Sequence, residues 1–94
     1  MPVTRSIQQT IAADGRRARA RVYADARWKA CRASVLRMAN GYCQWPGCQA
    51  PATIADHWPL TLAVLLATNA DPYNPAACRA LCAHHSGKAD GGRI

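Results

Sequence analysis

Cysteine spacing constrains this chain more than any other feature. Cys43 and Cys48 flank the dipeptide Pro46-Gly47, and a second cluster runs from Cys78 through Cys82 to His84-His85. The chain has 94 residues; half are hydrophobic, many of those are alanine, and Phe is absent. A domain of this size with few large apolar side chains usually depends on a staple. Five cysteines cannot all pair as disulfides. The N-terminus lacks the continuous apolar stretch of a signal peptide, and Leu60 to Ala67 is too short to span a bilayer. The expectation is a reducing cytoplasm, where clustered cysteines more often hold metal than form disulfides. A Pro-Gly turn can aim the Cys43 and Cys48 sulfurs at one point. Cys43, Cys48, Cys82 and one histidine would then form a tetrahedral zinc site joining two distant segments. The competing reading is that these cysteines are buried apolar residues. That reading is adopted for Cys31, which stands alone on a helical stripe, and preferred for Cys78, which stays in reserve as a ligand.

Between the two clusters lies Ile54-Ala55-Asp56-His57-Trp58-Pro59, an acid beside an imidazole. Phosphodiester hydrolysis needs a base to deprotonate water and a cation to offset charge on the phosphate. Histidine suits the first task near neutral pH, and aspartate can hold a divalent cation. Neighbours on a strand point to opposite sides, so a bend near Trp58-Pro59 must bring the two together.

Net charge is +7, with twelve Lys and Arg against five Asp and Glu. Such a balance attracts polyanions, nucleic acid first, although a basic protein need not bind one. Residues 16–39 read as one helix. Trp28, Cys31, Val35 and Met38 lie on a single stripe, with Arg27, Lys29, Arg32 and Arg37 largely off it. Asp14-Gly15 reads as the break before this helix and Asn40-Gly41 as its stop. The arginines form either a solvated face or a set of phosphate contacts. Residues 50–55 read as a strand leading into Asp56. A short helix follows over 60–69 with Thr61 as N-cap, then a turn-rich loop over 71–75, and a helix from Cys82 to about Ala89.

Taken together, Cys43…Cys48, Asp56-His57-Trp58-Pro59, Arg79-Ala80-Leu81-Cys82 and His84-His85-Ser86-Gly87-Lys88 resemble the HNH endonucleases, a ββα-metal family. The resemblance covers about residues 28–88, and it includes the helix bearing Trp28, Arg32 and Val35-Leu36. It implies His57 as general base, and Asp56 with His85 as ligands of Mg²⁺ or another divalent cation. It further implies Cys43, Cys48, Cys82 and His84 as ligands of a structural zinc. Two departures matter. The run Cys82-Ala83-His84-His85 is one residue short of the family's usual spacing. Counting from Cys82 makes His85 the zinc ligand and puts Ser86 at the catalytic position; counting from Ser86-Gly87-Lys88 makes His85 catalytic. The second register is preferred because it completes an active site. The family's asparagine position holds Ala77, with Asn74 three residues earlier.

The resulting expectation is an α+β chain: a small zinc-stapled ββα-metal module preceded by a basic helix. Its parts are an N-terminal segment (1–15), the helix (16–40), the module (41–90) and a frayed tail (91–94). The expected activity is metal-dependent cleavage of DNA with little sequence preference. Arg16, Arg17, Arg19, Arg21, Arg32 and Lys88 would hold the DNA backbone. Partners would be DNA and, through the resemblance to phage enzymes, packaging machinery; no membrane is involved. The alternatives are a catalytically degenerate zinc-stabilised DNA-binding module and a small zinc protein that binds another protein.

Overall fold

The computed structural model describes residues 7–91, and side chains for residues 15–88. Two helices come first, α1 over Ile7–Ala24 and α2 over Ala26–Met38. The single helix expected over 16–39 is therefore divided, and it begins earlier than the Asp14-Gly15 break would have it. Gly15 continues α1 because one glycine costs a helix only about 1 kcal/mol relative to alanine. Asp25 makes the division. Its backbone is extended (φ −76°, ψ 139°) and its carboxylate accepts the Arg27 backbone N–H at 2.8 Å, capping α2. The Arg27 guanidinium returns to the same carboxylate at 2.8 Å, and these contacts hold Asp25 down at about 2.

The expected stripe of α2 is buried at Trp28, Cys31 and Val35. Met38 is 67% exposed, because the helix ends there and the chain turns away. Asn40 (φ 54°) and Gly41 (φ 78°) adopt the left-handed conformation. Asn40 N–H bonds to the Arg37 carbonyl and Gly41 N–H to the Leu36 carbonyl, each at 2.9 Å. This is the paired arrangement that satisfies the last carbonyls of a helix.

The chain then forms the first cysteine loop. Tyr42 bridges Pro51, and Cys43 N–H bonds to the Ala50 carbonyl at 2.8 Å. Gly47 (φ 79°) closes the turn between the cysteines. Strand β1 follows over Ile54–His57, beginning later than the strand expected over 50–55. It pairs antiparallel with β2, Cys78–Leu81, in the register Ile54↔Leu81, Ala55↔Ala80, Asp56↔Arg79 and His57↔Cys78. Helix α3, Leu62–Ala67, is capped by Thr61, whose hydroxyl accepts the Val64 N–H. Helix α4, Ala83–Gly91, follows β2 at once and runs into the segment read as a frayed tail, of which residues 92–94 lie outside the described residues, as do residues 1–6 of the expected N-terminal segment.

Alternation along the two strands builds two small cores. Ala55 and Ala80 pack with Trp28, Cys31 and Val35 of α2, with Cys78 beside them. Leu81 packs on the other face with Cys43 and Cys82, against Trp45, Cys48 and Ala50. Gln44 ties the cysteine loop to β2: its backbone N–H bonds to the Ala80 carbonyl and its side-chain oxygen accepts the Ala80 N–H. The architecture is α+β, two antiparallel strands with helices packed on them. Among the described residues no helix is long and apolar enough to cross a membrane.

Candidate metal centre and active site

Three cysteines of the second core, together with His85, form a group of side chains able to ligate a metal. The sulfurs of Cys43, Cys48 and Cys82 and a ring nitrogen of His85 all lie within 4.8 Å of one another. His85 Nδ1 is 3.3 Å from Cys82 Sγ and 3.7 Å from Cys43 Sγ. Around a tetrahedral zinc, neighbouring sulfur and nitrogen ligands stand about 3.5–3.8 Å apart. The donor set and spacing therefore fit zinc.

His85 thus occupies the place expected for His84. The cause is helical geometry. A residue three positions on from Cys82 returns to the same side of α4, whereas one two positions on is turned away. His84 is exposed, its ring edge-on to His85 at 5.0 Å. The Trp45 ring lies flat on His85, centroids 4.9 Å apart and planes 2° from parallel, which fixes the imidazole. Burial opposes ionisation of Cys43, yet hydrogen bonds from the Cys82 and Trp45 backbones, and from His85 and Cys48, bring its thiol down to about 6. Cys48 is pushed up, despite a lowering contact from the Ala50 backbone, by burial and by its neighbours Cys43 and Cys82. Cys78 lies outside this group. Its sulfur is 4.0 Å from that of Cys31, and burial first, then the Cys31 thiol and Asp56, push it up to about 12.

Asp56 and His57 leave β1 on opposite faces, as strand alternation requires. His57 is 2% exposed and lies against Trp28, with Tyr23 beyond. Its Nε2 is 2.9 Å from the Pro72 carbonyl. A carbonyl only accepts, so Nε2 carries the hydrogen and the lone pair of the neutral ring sits on Nδ1. The turn-rich loop over 71–75 therefore braces His57 through Pro72. Asn74 instead caps a short 3₁₀ turn, Pro75–Ala77, by accepting the Ala76 N–H.

Asp56 faces the α4 side. It lines a pocket of about 280 Å³ together with Ser86, Arg32, Thr53, Tyr23 and Trp28. Its carboxylate is 3.6 Å from Arg79 Nε, across the strand pair. The Arg79 guanidinium lies over both Trp45 (5.2 Å) and Trp58 (4.9 Å). The expected pairing of Asp56 with His85 on a catalytic cation does not fit this arrangement, since His85 belongs to the cysteine group. Asp56 is the one carboxylate lining this pocket, and Ser86 of α4 lines it beside Asp56. Of the expected DNA-binding residues, Arg32 lines the pocket and donates to the Thr53 carbonyl at 2.7 Å. Arg16, Arg17, Arg19 and Arg21 are exposed on α1, and Lys88 on α4. Sequence spacing assigns no site role to Arg79, Trp45 or Tyr23; only the strand register reveals Arg79 as the partner of Asp56.

No family model matches the chain, and no curated protein matches it. Among solved structures it is similar to the crystal structure of the HNH endonuclease of the deep-sea thermophilic bacteriophage GVE2, with manganese ion. The two are 23% identical, with a TM-score of 0.67, over 95% of this chain and 97% of the other. The fold on which these cysteines, Asp56 and His57 are arranged is that of a phage HNH endonuclease.

Proposed function

We propose that this chain is an HNH-type endonuclease that hydrolyses DNA phosphodiester bonds with little sequence preference. The observation that carries the reading is His57. It is buried at the end of β1, with its Nε2–H donated to the Pro72 carbonyl, which places the lone pair of the neutral ring on Nδ1. A histidine held in one tautomer by a backbone acceptor is suited to take a proton from water near neutral pH. Cys43, Cys48, Cys82 and His85 would hold a structural zinc, which cross-links the segment before β1 to the start of α4. Arg16, Arg17, Arg19, Arg21, Arg32 and Lys88 would attract and hold the DNA backbone, so binding should weaken steeply with salt. The five free cysteines suit a reducing cytoplasm, and association with phage packaging machinery is the protein partner that the resemblance suggests.

The second reading is a zinc-stabilised DNA-binding module without catalysis, favoured by the recruitment of His85 to the cysteine group. Nicking of supercoiled plasmid with added Mg²⁺ or Mn²⁺ separates the two. The nuclease reading expects His57→Ala to lose cleavage while zinc content and DNA affinity stay near wild type. Salt-sensitive DNA binding with no nicking under any cation would establish the second reading instead.

A further inference from the structure

We propose that the pocket at Asp56 is a single-carboxylate cation site, weak on its own, in which Ser86 stands where a histidine would make it strong. Three observations lead there. His85 Nδ1 lies 3.3 Å from Cys82 Sγ, so this histidine is committed to the cysteine group. Ser86, the next residue round α4, lines the same pocket as Asp56. Arg79 Nε already lies 3.6 Å from the Asp56 carboxylate, and Arg32 brings a second guanidinium to the pocket wall.

The charges decide the affinity. With Arg79 Nε 3.6 Å from the one carboxylate and Arg32 lining the same pocket, little net attraction for a divalent cation remains. A lone hydroxyl adds a neutral oxygen donor, whereas Mg²⁺ and Mn²⁺ sites of useful affinity draw on several protein donors or on substrate phosphate. Asp56 and Ser86 would therefore hold a cation only weakly by themselves, with substrate phosphate as the remaining source of negative oxygens. The same positive surroundings favour that phosphodiester. The inference rests on the proposed nuclease reading for the cation's purpose, but its test measures cation binding without DNA or cleavage.

Mn²⁺ binding to the zinc-loaded full chain is measured by electron paramagnetic resonance of the free ion. The wild type is expected to bind in the millimolar range. Ser86→His is expected to bind at least about tenfold tighter, because it adds an imidazole donor beside the carboxylate. Adding Asp56→Asn to that variant should return the affinity to the wild-type level. Zinc content and circular dichroism confirm that each variant is folded. If Ser86→His is not, Ser86→Asp, which adds a carboxylate instead, carries the same expectation. Micromolar Mn²⁺ binding by the wild type would overturn the proposal. So would equal affinities for the wild type and a folded Ser86 variant.

Discussion

The imidazole of His57 lies on the indole of Trp28, ring centroids 5.0 Å apart and planes 26° from parallel. Trp28 comes from α2 and His57 from β1, so the helix that looks like a preface to the module forms one wall around its candidate base. Trp28 also packs edge-on to Tyr23 of α1 at 5.1 Å, which carries the contact back to the first helix.

Replacing Trp28 should therefore harm folding first. The residue is 8% exposed and belongs to the core with Cys31, Val35, Ala55 and Ala80. Truncating such a side chain typically costs about 3–5 kcal/mol, a large share of a small domain's stability. Urea unfolding of Trp28→Ala is expected to show that loss. Trp28→Phe should fold, with a smaller loss, and should nick plasmid more slowly than wild type because the stack on His57 is thinner. Full activity in folded Trp28→Phe would show that the stack does not position His57.

The two histidines of α4 should behave differently. His85→Ala removes the one nitrogen in the Cys43–Cys48–Cys82 group, while His84 is exposed. Zinc content by mass spectrometry under native conditions is expected to be wild type for His84→Ala and much reduced for His85→Ala. Chelation with EDTA should lower the melting temperature of the wild type and of His84→Ala alike. A zinc-replete His85→Ala protein would place the metal elsewhere.

That contrast marks what sequence spacing can and cannot carry. The cysteine loops, the α2 stripe through Trp28, Cys31 and Val35, the Asn40-Gly41 stop and the Thr61 cap were legible because each depends on residues close together in the chain. Whether His84 or His85 joins the three cysteines depends on where α4 starts. It starts at Ala83, directly after Cys82, so an offset of three reaches the cluster. The Asp25 cap is not legible in the sequence, because a helix divided by a charged cap looks there like an unbroken polar face. Nor is the pairing of Arg79 with Asp56, which is set by strand register across a long intervening segment.

Cys78 offers a pH test on the first core. Burial raises its thiol to about 12 from an ordinary value of 9.0, so the folded chain holds this proton where the unfolded chain releases it. The stabilisation is complete below about pH 9 and is lost as pH rises toward 12. Cys78→Ala lacks this linkage. The wild-type melting temperature should therefore fall more steeply than that of Cys78→Ala between pH 9 and pH 11, with calorimetry of both proteins as the measurement. Parallel pH dependences would mean that Cys78 ionises as freely in the folded chain as in the unfolded one.

The Asp56–Arg79 pair provides the last test. Both side chains are largely buried, at 13% and 14% exposure, and Arg79 Nε is a buried donor with no hydrogen-bond acceptor. At 3.6 Å the contact is longer than a hydrogen-bonded ion pair, so its value lies in charge compensation and in the guanidinium's place between Trp45 and Trp58. Removing the arginine leaves a carboxylate without this partner in a poorly solvated site. Arg79→Gln is expected to cost about 1–3 kcal/mol of folding free energy by urea unfolding. In the Asp56→Asn background the same substitution should cost clearly less, because no charge remains to be compensated. Arg79→Gln should also tighten Mn²⁺ binding, since a competing cation has left the carboxylate. Additive folding costs together with unchanged Mn²⁺ affinity would show that Arg79 acts through its aromatic neighbours alone.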